Sequence, residues 1–114
     1  MSGPCYEATM TEGLDKLFAT IAARKGADPA QSYTAKLLAA GVEKCAKKFG
    51  EEAVETVIAA IQRDKTELAK ESADVLYHLA VLWAASGITP QDVYAVLKSR
   101  EAMSGLDEKA SRKS

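Results

Sequence analysis

Residues 51–80, EEAVETVIAAIQRDKTELAKESADVLYHLA, carry two acidic motifs on either side of a short polar stretch. Residues three or four apart share one face of a helix, so each motif directs its carboxylates to one side. The midpoint falls near Arg63, and if two antiparallel helices meet there, both motifs lie about 15 Å from the turn. The pattern therefore predicts a helical hairpin in which four or five carboxylates converge. The motifs are EExxE, with Glu51, Glu52 and Glu55, and ExxD, with Glu71 and Asp74.

Carboxylates that converge in this way repel one another unless a cation lies among them. Hard oxygen ligands suit Mg²⁺, with Mn²⁺ as the alternative, and such an ion indicates metal-assisted phosphate chemistry. Glu51, one residue out of phase, would either join a second ion or orient the attacking water, and spacing leaves the number of ions open. All five acids are candidate catalytic residues. The candidate metal ligands are Glu52, Glu55, Glu71 and Asp74.

A solvated helix face is the competing interpretation of the same acids. Lys47–Glu51 and Lys48–Glu52 are opposite-charge pairs four residues apart, although a lysine that precedes its acid is the weaker order. Glu52 and Glu55 border the apolar stripe of their helix, whereas a solvated face would lie opposite the core. Spacing alone leaves a metal site and a solvated face both open.

Five further residues are candidates for binding a substrate. The two lysines would neutralise phosphate charge beside the acids, or only pair on the surface. The histidine, the only one in the chain, would bind substrate, orient Asp74 or simply pack, and packing is the default for the tyrosine. The arginine would contact phosphates across a subunit boundary, or lie on the surface. These residues are Lys47, Lys48, Tyr77, His78 and Arg100.

Composition limits the class of protein. A chain of 114 residues forms one small domain, and a partner subunit would help to complete its core. The net charge of −1 offers no basic face for nucleic acid or an anionic membrane. Cys5 and Cys45 fit no metal-binding spacing and indicate free thiols in a reducing compartment. The N-terminus lacks a signal-peptide pattern, and residues 75–88 are too short an apolar run to span a membrane, so we expect a cytoplasmic protein.

Helical periodicity runs through most of the chain, and strand signals are nearly absent. We therefore expect an all-α bundle of four to five helices. The helical domain is predicted at residues 9–103. A flexible N-terminus at 1–8 and a flexible polar tail at 104–114 would flank it.

Caps and glycines predict the helix boundaries. A capping box at Thr9 begins the first helix, Ser32 caps the second, and Gly41 interrupts it. Gly87 ends the fourth helix and Thr89-Pro90 begins the last. The two long helices are predicted at 42–62 and 66–86. Four apolar residues of the first of these are expected to be buried: Val54, Val57, Ile58 and Ile61.

Several segments together resemble a known family. SYTAKLL at 32–38, KKFGEEAVE at 47–55 and ESADVLYHL at 71–79 look like phosphoribosyl-ATP pyrophosphohydrolase, within the all-α, MazG-type nucleoside triphosphate pyrophosphohydrolases. The acid motifs are shared by that whole superfamily, and the SYTxKLL and DVLYHL segments select this family within it. The resemblance spans roughly Leu14 to Arg100. Phe49 departs from it, where a smaller aliphatic residue is expected.

The resemblance implies hydrolysis of phosphoribosyl-ATP to phosphoribosyl-AMP and pyrophosphate, the second step of histidine biosynthesis. It implies Mg²⁺ dependence and a homodimer or higher homo-oligomer. Some relatives carry a fused cyclohydrolase domain, which we do not expect in a sequence of this length without cysteine-type zinc ligands. Lys47 and Lys48 match a basic pair that would hold the phosphates, and Tyr77 and His78 match positions without an assigned role. Glu51 matches either a further ligand or a residue that positions water. The family's metal-binding acids correspond to Glu52, Glu55, Glu71 and Asp74.

Two other functions remain open at this point. The same chemistry would serve an enzyme that hydrolyses deoxynucleoside or non-standard nucleoside triphosphates in the nucleotide pool. A non-enzymatic helical oligomerisation module, whose acids only face solvent, is the other. Substrate preference would distinguish the nucleotide-pool enzyme from a phosphoribosyl-ATP pyrophosphohydrolase. The oligomerisation module would differ from both enzymes in that Mg²⁺ would not stabilise its fold.

Overall fold

The computed structural model describes residues 3–101, with side chains from residue 12 onward. The expected all-α fold is confirmed: within these residues the chain forms five helices and no strand. None of the described helices combines the length and apolarity needed to cross a bilayer. The helices are α1 (Gly3–Ala22), α2 (Tyr33–Ala40), α3 (Val42–Ile61), α4 (Lys65–Ser86) and α5 (Pro90–Glu101).

Most helix ends lie where caps and glycines predict them. The Ser32 side chain accepts a hydrogen bond from the Ala35 N–H at 3.2 Å and caps α2. Gly41 has a φ of 97° and separates α2 from α3, and Gly87 has a φ of 80° at the end of α4. Positive φ angles of this kind favour glycine because it has no Cβ.

The start of α1 differs from the prediction. The helix begins at Gly3 rather than at the Thr9 capping box. Pro4 explains the earlier start, since proline is well suited to the first turn of a helix, where its missing N–H has no partner to lose. The predicted polar tail at 104–114 lies outside the described residues.

The hairpin between α3 and α4 forms around Arg63, as predicted. Arg63 has a φ of 58°, a left-handed conformation that is uncommon for a residue with a side chain. Asp64 then caps α4 by accepting a hydrogen bond from the Glu67 N–H at 3.0 Å. The two helices run antiparallel, because Thr56 lies against Glu71 while an earlier residue, Glu52, lies against a later one, His78.

The buried core lies between α1, α2, the start of α3 and the second half of α4. α5 is attached at the edge, where the Tyr94 hydroxyl donates to an Asp15 carboxylate oxygen on α1 at 3.2 Å. Leu17, Phe18 and Leu38 pack around the core from α1 and α2. Its buried members are Ile21, Leu37, Cys45, Ala80, Val81 and Ala84.

The prediction that α3 buries its four apolar residues is wrong for the single chain. Val54, Val57, Ile58 and Ile61 are 59%, 56%, 47% and 74% exposed. The reason is that, among the described helices, α3 packs mainly on α4 and α2, while α1 packs on α4 and α5 on α1. We call these four residues the α3 apolar face. Amphipathic spacing indicates that such a face is buried, but it does not indicate whether the same chain or another chain buries it.

Candidate active site

Three carboxyl groups of α3 and α4 meet at one height of the hairpin. One oxygen from each of Glu52, Glu55 and Glu71 lies within 4.8 Å of the others. The 3.6-residue repeat puts Glu52 and Glu55 on one face of α3, and the turn at Arg63 brings Glu71 of α4 opposite them. We call these three residues the acid cluster.

Asp74 lies beside the acid cluster rather than within it. Its side chain is half-buried and hydrogen-bonds that of Glu71, one turn earlier on α4. Its charge also reaches Glu52. Asp74 is therefore placed to add a fourth carboxylate from the α4 side.

Two carboxyl groups of the acid cluster, those of Glu52 and Glu71, have raised pKa values. The hydrogen bond that the protonated Glu52 carboxyl donates to Glu55, together with burial and the charges of Glu55, Asp74 and Glu71, raises the pKa of Glu52 to about 7. Burial raises the pKa of Glu71 as well, aided by the hydrogen bond and charge of Asp74 and by the charge of Glu55. The group thus has the electrostatic character of a site that favours positive charge.

Glu51 is not part of the acid cluster and pairs with a lysine. Lys48 Nζ lies 3.3 Å from Glu51 Oε1, and this hydrogen bond, with the charges of Tyr33 and Glu51, raises the pKa of Lys48. Both side chains line a cavity of about 410 Å³ together with Glu52, Val54 and Glu55. The cavity therefore presents a cation and several acids side by side, as a phosphate and its counter-ion require. Lys47 is exposed on α3.

Three aromatic rings, of which only that of His78 is buried, lie beside the acids. His78 is only 6% exposed, and its Nε2 lies 4.0 Å from Glu52 Oε1. The rings of Tyr77 and Tyr33 meet it edge-on, with centroids 5.0 Å and 6.4 Å away. We call Tyr33, Tyr77 and His78 the aromatic wall. Burial and the charge of Lys48 lower the pKa of His78, so its ring is neutral near pH 7.

Three residues of this region were not singled out by sequence reasoning. Thr34 shares a hydrogen bond with the Tyr77 hydroxyl and so joins α2 to the aromatic wall. Tyr33 belongs to that wall, and Thr56 bridges α3 and α4. The SYT segment at 32–34 belongs to the family resemblance, but its position against α4 depends on tertiary packing.

Arg100 lies on α5 in a different part of the single chain. It lines a cavity of about 320 Å³ with Ile88, Val93 and Leu97. The acids of the hairpin do not line that cavity. A contact between Arg100 and the phosphates therefore stays a prediction that involves a second subunit.

Comparison with known proteins identifies the family. The family description of phosphoribosyl-ATP pyrophosphohydrolase matches residues 14–101. A protein of Parvibaculum lavamentivorans is 65% identical over 99 residues, which are 87% of this chain and 91% of that one. One of Paracoccus denitrificans is 58% identical over 113 residues, 99% of this chain and 100% of its own length. Both are named phosphoribosyl-ATP pyrophosphatase. The chain therefore belongs to the phosphoribosyl-ATP pyrophosphohydrolase family.

Proposed function

We propose that this chain hydrolyses phosphoribosyl-ATP to phosphoribosyl-AMP and pyrophosphate, as the second step of histidine biosynthesis in the cytoplasm. We further propose that the reaction uses Mg²⁺, or Mn²⁺ in its place. The family supports the substrate, and one observation supports the metal: three carboxylate oxygens from two helices lie within 4.8 Å of one another.

The residues present fit a small divalent cation. Ligand oxygens about 2.1 Å from an octahedral Mg²⁺ are about 3.0 Å apart when adjacent and about 4.2 Å apart when opposite. The acid cluster is close to that range, so small side-chain rotations suffice. Glu52, Glu55 and Glu71 would hold the ion, with Asp74 as a fourth ligand. When bound, the ion would neutralise triphosphate charge and lower the pKa of a nearby water.

The reaction adds the oxygen of water to phosphorus and breaks the bridge between the α- and β-phosphates. Glu51, held by Lys48 at 3.3 Å, orients the attacking water at the edge of the cavity. Lys48 shares the negative charge that develops on the departing pyrophosphate. Lys47, exposed one residue earlier on α3, would add positive charge for the phosphates.

The aromatic wall supports the acids from behind. His78 is too deeply buried to reach far into the cavity, so its contribution to substrate binding acts through Glu52. Tyr77 packs against His78 and is fixed by Thr34. The role we assign to Tyr77 and His78 is therefore to hold the carboxylate that faces the substrate.

A homodimer or higher homo-oligomer is part of the proposal. The α3 apolar face, at least 47% exposed at every position, is a large hydrophobic area for so small a protein. A second copy would cover it, and a contact of Arg100 with the phosphates of another subunit is part of the same proposal. Neither nucleic acid nor a membrane is expected as a partner, since the net charge is −1.

Pyrophosphate release from phosphoribosyl-ATP, with and without Mg²⁺, tests the proposal. dATP and dCTP serve as competing substrates, and release mainly from these would instead favour the nucleotide-pool activity. Glu55→Gln removes a carboxylate of the acid cluster with little change in shape. Glu43→Gln, at an exposed position on the same helix, is the matched control. Rapid release by Glu55→Gln at the wild-type Mg²⁺ requirement would contradict the proposed site.

A further inference from the structure

The hydroxyl of Thr56 contacts the backbones of both helices that carry the acid cluster. Its Oγ1 lies 2.8 Å from the Glu52 carbonyl oxygen and 3.2 Å from the Glu71 carbonyl oxygen. A hydroxyl has one proton, so the two carbonyl oxygens share it. The first bond is common, because helical threonines often donate to the carbonyl four residues earlier.

The second bond is of a different kind, since it crosses from α3 to α4. The two carbonyl oxygens belong to Glu52 and Glu71, which are also the residues whose carboxylates approach each other from opposite helices. Thr56 therefore links the two backbones at the height of the acid cluster. At that height the mutual repulsion of the acids tends to separate the helices.

We propose that Thr56 is a positioning residue for the proposed metal site. Its shared hydroxyl proton holds the backbones of Glu52 and Glu71 at the separation at which one divalent cation binds both side chains. The inference rests on the proposed metal dependence. Removing a group that holds a metal-binding residue in position typically weakens metal affinity by about 10- to 100-fold.

Three substitutions separate the hydroxyl from the rest of the side chain. Thr56→Ser keeps the donor, and Thr56→Ala differs from it only by losing that donor. Thr56→Val keeps the shape of threonine but places a methyl group against the carbonyl oxygens, where contacts are about 3.3–3.6 Å. Thr20→Val, at an exposed position on α1, is the control for a threonine outside the hairpin.

The measurement is Mn²⁺ binding to the metal-free full-length chain, followed by the electron paramagnetic resonance signal of free Mn²⁺. Circular dichroism and thermal unfolding of each metal-free variant are recorded alongside. We expect Thr56→Ala and Thr56→Val to raise the Kd for Mn²⁺ about tenfold. Thr56→Ser and Thr20→Val should remain within about threefold of wild type.

The comparison between Thr56→Ala and Thr56→Ser, which differ only in the hydroxyl, decides the result. Equal Kd values for Thr56→Ala and Thr56→Ser would overturn the inference, even if both variants melted at a lower temperature. That pair also decides the matter if Thr56→Val does not fold. If wild-type protein binds no Mn²⁺, the proposed metal dependence falls and the inference falls with it. Binding by wild type and Thr56→Ala with the same Kd overturns the inference alone.

Discussion

Nε2 of His78 lies 4.0 Å from Oε1 of Glu52, which connects the aromatic wall to the acid cluster. The ring is neutral near pH 7 because burial and Lys48 lower its pKa. Its other nitrogen, Nδ1, is buried without a hydrogen-bond partner. A neutral ring with its proton on Nε2 directs that proton at Glu52, whereas sequence reasoning had considered Asp74 as the acid that His78 orients.

His78→Phe should separate activity from stability. Phenylalanine keeps the ring that packs against Tyr33 and Tyr77 but removes the nitrogen that faces Glu52. It also removes a buried polar atom without a partner, which is neutral or favourable for folding. We expect kcat to fall about tenfold with no loss of melting temperature. Steady-state kinetics and a thermal melt check this, and wild-type kcat would contradict it.

The metal-free protein should lose stability as the pH rises towards neutrality. The pKa of Glu52 in the folded chain is about 7, above its value in an unfolded chain, so the folded state binds more protons between those values. The free energy of unfolding therefore decreases as the pH rises from about 5 to about 8.

Thermal unfolding of the metal-free protein across this pH range measures the effect. Glu52→Gln should reduce the slope, since its side chain does not titrate, and Mg²⁺ should restore stability mainly at the higher pH. A melting temperature that rises between pH 5 and 8 in wild type but not in Glu52→Gln would contradict the assigned pKa.

Lys48→Met should weaken substrate binding and also slow turnover, because the charge that it removes is assigned both to the phosphates and to the departing pyrophosphate. Methionine keeps much of the apolar stem of lysine but removes the charge that pairs with Glu51 and faces the cavity. We expect KM for phosphoribosyl-ATP to rise roughly tenfold, the size of one lost charge-assisted contact. Lys44→Met, at an exposed position one turn earlier, should leave KM unchanged. Equal KM values for both variants would argue against a phosphate contact at Lys48.

Val57→Glu should dissociate the proposed oligomer. Val57 is 56% exposed in the single chain, so a glutamate there costs the monomer little. In a homo-oligomer that covers the α3 apolar face, the same charge would be buried without a partner. Sedimentation velocity should show a smaller species with unchanged helicity, and Lys44→Glu should sediment as wild type. If Val57→Glu also sediments as wild type, the oligomer interface does not include the α3 apolar face.

The sequence was sufficient for the helices and the hairpin because those features are local. Ser32, Gly41 and Gly87 act within one turn of their own positions. The convergence of the acids could be predicted for the same reason, since it follows from the helical repeat and the position of one turn. The all-α fold and the family are confirmed.

Contacts between two helices that are not set by a single turn could not be predicted from the sequence. The contact of Thr34 with Tyr77 depends on how α2 lies across α4. The bond from Thr56 to Glu71 depends on how closely α3 and α4 approach, and a threonine inside a helix gives no sign of it. The α3 apolar face was expected to be buried because its pattern is amphipathic, and a pattern does not name the chain that covers it.

The left-handed conformation of Arg63 fixes the position of the turn in the hairpin. The acids face one another because each lies a set number of residues from that turn. One residue inserted between Thr56 and Arg63 would rotate Glu52 and Glu55 by about 100° around α3 and move them about 1.5 Å along it. Both helices would survive, but the acids would no longer meet. Changes of chain length should therefore be tolerated in the connection from Ala23 to Gln31 and rejected in this hairpin.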